Sequence, residues 1–172
     1  MSHYYSAYSV FTAGLRSEYC LELISLHHLR VQGLGAQRSL MVRIDATYDG
    51  DLRCTATHAP SGAKLITDAP VDNHGKGASF SPTDLLATSM LTCIMTIIGI
   101  RANARDINVN GMSGSVEKSM GSDPRRVAQL DVIIRLPDGL SDDDKAWLKT
   151  EGCACPVCRS VSEQMEVDVQ FE

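Results

Sequence analysis

From Ser81 to about Ala104 the chain carries a helical segment with a sharply written start and apolar residues on nearly every face. Ser81 can cap, Pro82 suits the first helical position because its missing N–H would be unsatisfied there anyway, and Asp84 closes a capping box. Leu85, Leu86, Met90, Leu91, Ile94, Met95, Ile97, Ile98 and Ile100 then surround the axis. A helix that is apolar all round has to be buried all round. The chain has 172 residues, enough for one domain with a core. A domain of that size hardly wraps such a helix alone, so a homodimer is expected, with the second copy supplying part of the wrapping. The longest apolar stretch, Leu85 to Ile100, is interrupted by Ser89, Thr92 and Thr96. It falls short of the ~20 residues needed to span a bilayer, which favours a core helix over a membrane span.

The flanking segments read as strands and shorter helices. Val42, Ile44, Ala46 and Tyr48 alternate with polar residues, and Asp49-Gly50 is a favoured hairpin turn. A return strand is expected over Asp51 to His58 and a third over Ala63 to Thr67, before a glycine-containing loop from Asp68 to Phe80. Two strands follow the long helix, near Val109 to Met120 and Arg126 to Leu136. Ser141 caps a helix whose first turn holds Asp142, Asp143 and Asp144, favourably placed at its positive end. That helix is expected to reach about Gly152. Pro156 begins a new short helix, and Val167, Val169 and Phe171 alternate in a last strand. The order β-β-β-α-β-β-α-α-β defines an α+β fold. Residues 1–40 do not share this pattern and read as a poorly ordered extension or the product of a misplaced start. The domain proper is then 41–172.

Composition narrows the function. Lys plus Arg is 16 against 21 Asp plus Glu, a net charge of -5, and no basic run offers a face to nucleic acid. No secretory signal is visible before Val10. Six cysteines in a chain of this length are too few for a disulfide scaffold and read as thiols in a reducing compartment, which points to the cytoplasm.

Those thiols are the candidate chemistry. Cys93 lies about three turns into the apolar helix among Leu91, Ile94 and Met95. Burial raises a thiol pKa and reactivity needs the thiolate, so a reactive Cys93 requires a cation from elsewhere. Arg53, mid-strand between a hairpin and a turn, is the best candidate. The run Cys153-Ala154-Cys155-Pro156-Val157-Cys158 is the densest cysteine cluster. Cys155 precedes a helix start, where exposed N–H groups can lower a thiol pKa, making it a plausible sulfur in disulfide exchange. A zinc reading is the alternative: Cys153, Cys155 and Cys158 give three ligands, and Cys20, Cys54 or a histidine could add a fourth.

Ser81-Pro82-Thr83-Asp84-Leu85-Leu86, then Cys93, then Cys155-Pro156-Val157-Cys158-Arg159-Ser160 resembles the OsmC/Ohr family of thiol peroxidases. Tyr48-Asp49-Gly50-Asp51-Leu52-Arg53 and the Gly75-Lys76-Gly77 loop resemble its OsmC-like branch. The likeness covers about Met41 to Glu172. It implies an intertwined homodimer in which antiparallel sheets wrap long central helices. It implies that Cys93 attacks organic hydroperoxides, Cys155 resolves the resulting sulfenic acid, and Arg53 supplies the cation. An external dithiol of lipoyl type would restore the thiols, with no bound cofactor or metal. One departure stands out. The family's peroxidases carry glutamate right after the proline to orient the arginine, and this chain has Thr83 there and Asp84 next. Thr83, Asp84 and Cys158 are therefore candidate auxiliaries. An OsmC-like thiol protein that senses or transfers sulfur without efficient turnover, or a zinc-binding structural protein, are the other readings.

Overall fold

The computed structural model describes residues 41–161 and 165–172. The expectations for residues 1–40, Cys20 included, lie outside the described residues. The elements run β1 (Ile44–Gly50), β2 (Arg53–His58), β3 (Lys64–Asp68), a short 3-10 turn (Val71–Asn73), α1 (Pro82–Asn103), β4 (Ser113–Ser122), β5 (Arg125–Arg135), α2 (Asp142–Cys153), α3 (Pro156–Ser160) and β6 (Glu166–Phe171). This is the expected order. Of the described residues, 41–44 and 58–62 belong to one compact unit, and 45–57 with 63–172 form the second. In the first, the turn at 58–62 is closed by the Gly62 N–H donating to the His58 carbonyl at 2.8 Å.

The strands form two three-stranded sheets, ordered β1-β2-β3 and β4-β5-β6. The hairpin turn falls two residues later than expected. Gly50 ends β1, and Asp51 and Leu52 make the turn in left-handed conformations, φ 49° and 62°. Asp49 is held in the strand instead: its carboxylate accepts from Thr47 Oγ1 at 3.1 Å and from Thr55 Oγ1 on β2 at 2.6 Å. The fourth strand also starts later, because Asn108–Gly111 is a turn, with the Asn110 N–H bonded to the Asn108 side chain and Gly111 at φ 88°. The second sheet is mixed rather than antiparallel. β6 pairs parallel with β5, Leu130 opposite Val167 and Val132 opposite Val169, after the crossover through α2 and α3. A bulge between Ser119 and Met120 skips Ala128, so the buried residues of β5 fall at Val127, Leu130, Val132 and Ile134 instead of alternating strictly.

α1 is capped as the sequence prescribes. The Asp84 N–H donates to Ser81 Oγ at 3.1 Å and the Ser81 N–H to Asp84 Oδ2 at 2.7 Å. With 22 residues the helix is longer than its central apolar stretch, and by length and composition alone it could cross a membrane. Within one chain it is buried along one face rather than all round. Ala87, Met90, Ile94, Ile98 and Ala102 form one fully buried stripe against Leu130, Val132 and Ile134 of β5 and Leu148 of α2. Each such Leu, Ile or Met contributes about 1.5–3 kcal/mol. Two glycines permit the close approach. A Cβ at Gly114 would stand 2.9 Å from Leu91 Cδ1, and one at Gly152 would stand 2.9 Å from Ile98 Cγ1. The Arg101–Glu151 ion pair, 2.8 Å, and Arg105 stacked 3.5 Å over Trp147 hold α1 and the following loop to α2. The opposite face of α1 is not covered: Leu86 and Ile100 are exposed, as are Ile44, Tyr48 and Ile66 of the first sheet.

Lys118, on the inward register of β4, pairs with Asp84 Oδ1 at 2.6 Å and bonds Thr83 Oγ1 at 2.8 Å. Burial pushes the Asp84 carboxyl up, but Lys118 and the Ser81 backbone and hydroxyl hold it below its ordinary value. A carboxyl lowered on folding adds stability that is fully present above the unfolded value of about 3.9 and is lost as pH falls through the lower folded value. Asp84→Asn should therefore flatten the acid limb of the urea midpoint between about pH 5 and 2, where the native protein's midpoint declines. Equal acid slopes in the two proteins would count against the assignment.

Candidate active site

Two elements deliver three sulfurs to one place. Cys93 rides on α1, one turn beyond Met90 of the buried stripe. Cys155 is the N-cap of α3 and is fully buried, and Cys158 sits on the first turn of the same helix. Pro156 begins α3 as expected, and the Cys155 sulfur accepts the Cys158 N–H at 3.3 Å. Cys155 Sγ and Cys158 Sγ are 3.0 Å apart, and Cys158 Sγ lies 3.2 Å from Met90 Sδ. Cys93 packs against the same buried cluster that holds Cys155, and each thiol shifts the other's ionisation. Among the described residues all five cysteines are free thiols.

The sulfurs are not equivalent. Burial raises the Cys93 thiol, and the hydrogen bond and charge of Cys155 raise it further against the opposing Val157 N–H. For Cys155 burial also pushes upward, but hydrogen bonds from the Cys158 thiol and N–H, the Cys93 thiol and the Val157 N–H outweigh it. Its pKa falls below the ordinary thiol value. Cys158 is pushed up to about 12, by burial first and then by Cys155. Cys153, exposed, is raised by burial of its sulfur and by Cys155. Among Cys93, Cys153, Cys155 and Cys158, Cys155 is thus the acidic sulfur. Thiolate absorbance near 240 nm should show a first step below about pH 8.5 that Cys155→Ser removes and Cys158→Ser shifts upward. A first step unchanged by Cys155→Ser would refute the assignment.

The other site candidates are placed differently. Arg53 opens β2 in the first sheet, opposite Asp68 of β3. Its Nε is buried without a hydrogen-bond partner, and no contact joins it to Cys93 within the described residues. Thr83 and Asp84 are taken up by the helix cap and Lys118 and do not orient Arg53. For the zinc reading, no group of three or more His, Cys, Asp or Glu among the described residues is arranged to hold a metal ion. Three contributors were missed from sequence. Lys118 could have been found as a lone charge in the inward set Gly114, Val116 and Met120. Met90 carries no signal that separates it from core. Asp68 is fully buried, its Oδ2 accepting the Ala78 N–H at 2.9 Å and its Oδ1 unpartnered, so it anchors the 69–80 loop directly across from Arg53.

The family model for OsmC-like proteins matches residues 74–170. Among solved structures, a Psychrobacter arcticus protein provisionally named for osmotic stress induction and a detoxification response is 42% identical. It superposes with a TM-score of 0.73 over 77% of this chain and 96% of its own. An organic hydroperoxide resistance protein OsmC from Legionella pneumophila shares the fold at 19% identity, TM-score 0.61, over 77% and 96% of the two chains. The organic hydroperoxide resistance protein of Bacillus subtilis does so at 14%, TM-score 0.56, over 77% and 98%. Comparison with curated proteins found no match. The chain belongs to the OsmC-like family.

Proposed function

We propose that this protein is a cysteine-dependent reductase of organic hydroperoxides, active as a cytoplasmic homodimer. The observation that supports the reading is that Cys93 of α1 and Cys155, the N-cap of α3, lie in one packed cluster and each shifts the other's ionisation. The Cys93 thiolate attacks the distal peroxide oxygen, the O–O bond breaks, and the alkoxide leaves as alcohol with a proton. Cys93 is left as sulfenic acid. The Cys155 thiolate then attacks the Cys93 sulfur, forming the disulfide and expelling hydroxide, which leaves as water. An external dithiol of lipoyl type reduces the disulfide by two exchanges. The apolar setting of Cys93 beside Ile94 and Met90 suits an alkyl or aryl peroxide better than hydrogen peroxide.

The raised Cys93 thiol needs a cation, and the buried, unpartnered Arg53 Nε supplies the group whose partner is missing within one chain. A second copy also covers the exposed apolar residues Leu86 and Ile100 of α1. Sedimentation should give a dimer, and Ile100→Asp should shift it toward monomer. A wild-type monomer at micromolar concentration would remove the dimer from the proposal.

The deciding assay is consumption of cumene hydroperoxide with excess dihydrolipoamide. Turnover faster than with hydrogen peroxide supports the reading. No turnover by fully reduced protein favours the second reading, a thiol pair for sensing or sulfur transfer, to which the acidity of Cys155 rather than Cys93 already lends weight.

A further inference from the structure

Cys158 has no role in that cycle, yet its sulfur stands nearer to Cys155 than hydrogen bonding needs, 3.0 Å. The segment is a C-P-V-C motif in which both cysteines belong to one turn. Two cysteines separated by two residues can close a disulfide without backbone rearrangement when their sulfurs already converge. Here closing the bond requires a shift of about 1 Å between the sulfurs. Cys158 is half-buried and Cys155 fully buried.

Resting on the hydroperoxide reading, we propose that Cys155 and Cys158 are a second redox couple, which takes the disulfide over from Cys93. Once Cys93 and Cys155 are joined, Cys158 loses its proton and attacks Cys155 Sγ. The Cys155–Cys158 bond forms, the Cys93–Cys155 bond breaks, and the electron pair leaves on Cys93, which takes up the proton. The exchange involves no net oxidation. It is helped by the state that precedes it. Besides burial, what holds the Cys158 thiol high is the charge and hydrogen bonding of Cys155, with smaller contributions from Cys153 and Cys93. Disulfide formation removes the Cys155 and Cys93 charges. The external dithiol then attacks Cys158, and Cys155, the most acidic of the three, is the best leaving thiolate. Cys93 is meanwhile a free thiol, ready for a further peroxide before reductant arrives.

The test is disulfide mapping after one equivalent of cumene hydroperoxide, alkylation and trypsin digestion. Cys93 falls in the peptide 77–101, and Cys153, Cys155 and Cys158 fall in 150–159. In the wild type, peptide 150–159 should be lighter by two hydrogens, with fragment ions placing the bond between Cys155 and Cys158, and Cys93 should be alkylated. In Cys158→Ser, Cys93 should be cross-linked to Cys155. A wild type in which Cys93 stays cross-linked to Cys155 while Cys158 is alkylated overturns the handover and leaves the peroxidase reading standing. A Cys158→Ser protein that hydroperoxide leaves unlinked overturns both.

Discussion

Cys93→Ser should reduce hydroperoxide consumption to the background rate, a loss on the order of a thousand-fold or more, the scale on which removal of a nucleophile is felt. The hydroxyl of serine is far less acidic than a thiol and cannot form the sulfenic acid on which the next step depends. Cys155→Ser should behave differently. Its Cys93 can still react once, so each protomer should release about one equivalent of alcohol and then stall. The stalled protein should carry a sulfenic acid that dimedone traps at Cys93. Steady-state turnover is lost in both variants, and the single turnover separates them. The acidity of Cys155 makes the contrast informative. If Cys155→Ser lacks the burst while Cys93→Ser retains it, the attacking sulfur is Cys155 and the two roles are exchanged.

Much of this was legible in the sequence because it is written in local chemistry. The capping box at Ser81 and Asp84 and the Cys155-Pro156 helix start each depend on a few neighbouring residues, and each is found in place. Cys93, Cys155 and Cys158 were each singled out in the sequence, although only the family likeness joined Cys93 to Cys155. What was not legible is set by tertiary contact. The hairpin turn moved because Thr55, on the next strand, holds Asp49 in β1. The parallel pairing of β6 follows from the crossover through α2 and α3, which no alternation pattern records. Asp84 could be read as a cap, but its pairing with Lys118 spans two elements distant in the chain. Arg53 reads in the sequence as a mid-strand cation for the thiol. Its guanidinium Nε is buried beside no partner, and the residue opposite it is the buried Asp68.

Gly152→Val should destabilise the fold by roughly 1–3 kcal/mol and misplace the site it supports. Gly152 is fully buried where α2 crosses α1. An added Cβ would stand 2.9 Å from Ile98 Cγ1, 3.0 Å from Ile98 Cδ1 and 3.3 Å from Ile94 Cγ2. Both isoleucines are fully buried in the central stripe, so neither can swing into solvent. Relief has to come from α2 moving away from α1. For a protein of this size a loss in that range lowers Tm by several degrees, about 2–4 °C per kcal/mol. The displacement also bears on chemistry, because Cys155 follows the C-terminus of α2 directly and is carried by it. Moving α2 outward lengthens the path between Cys93 on α1 and Cys155. The variant should therefore form the Cys93–Cys155 disulfide more slowly after peroxide, while the initial oxidation of Cys93 keeps its rate. Stopped-flow oxidation followed by timed alkylation measures the two steps separately. Gly152→Ala, with the Cβ alone, should show the same pattern at smaller amplitude. If Gly152→Val lowers Tm but leaves disulfide formation as fast as in the wild type, the crossing supports the core without setting the distance between the sulfurs.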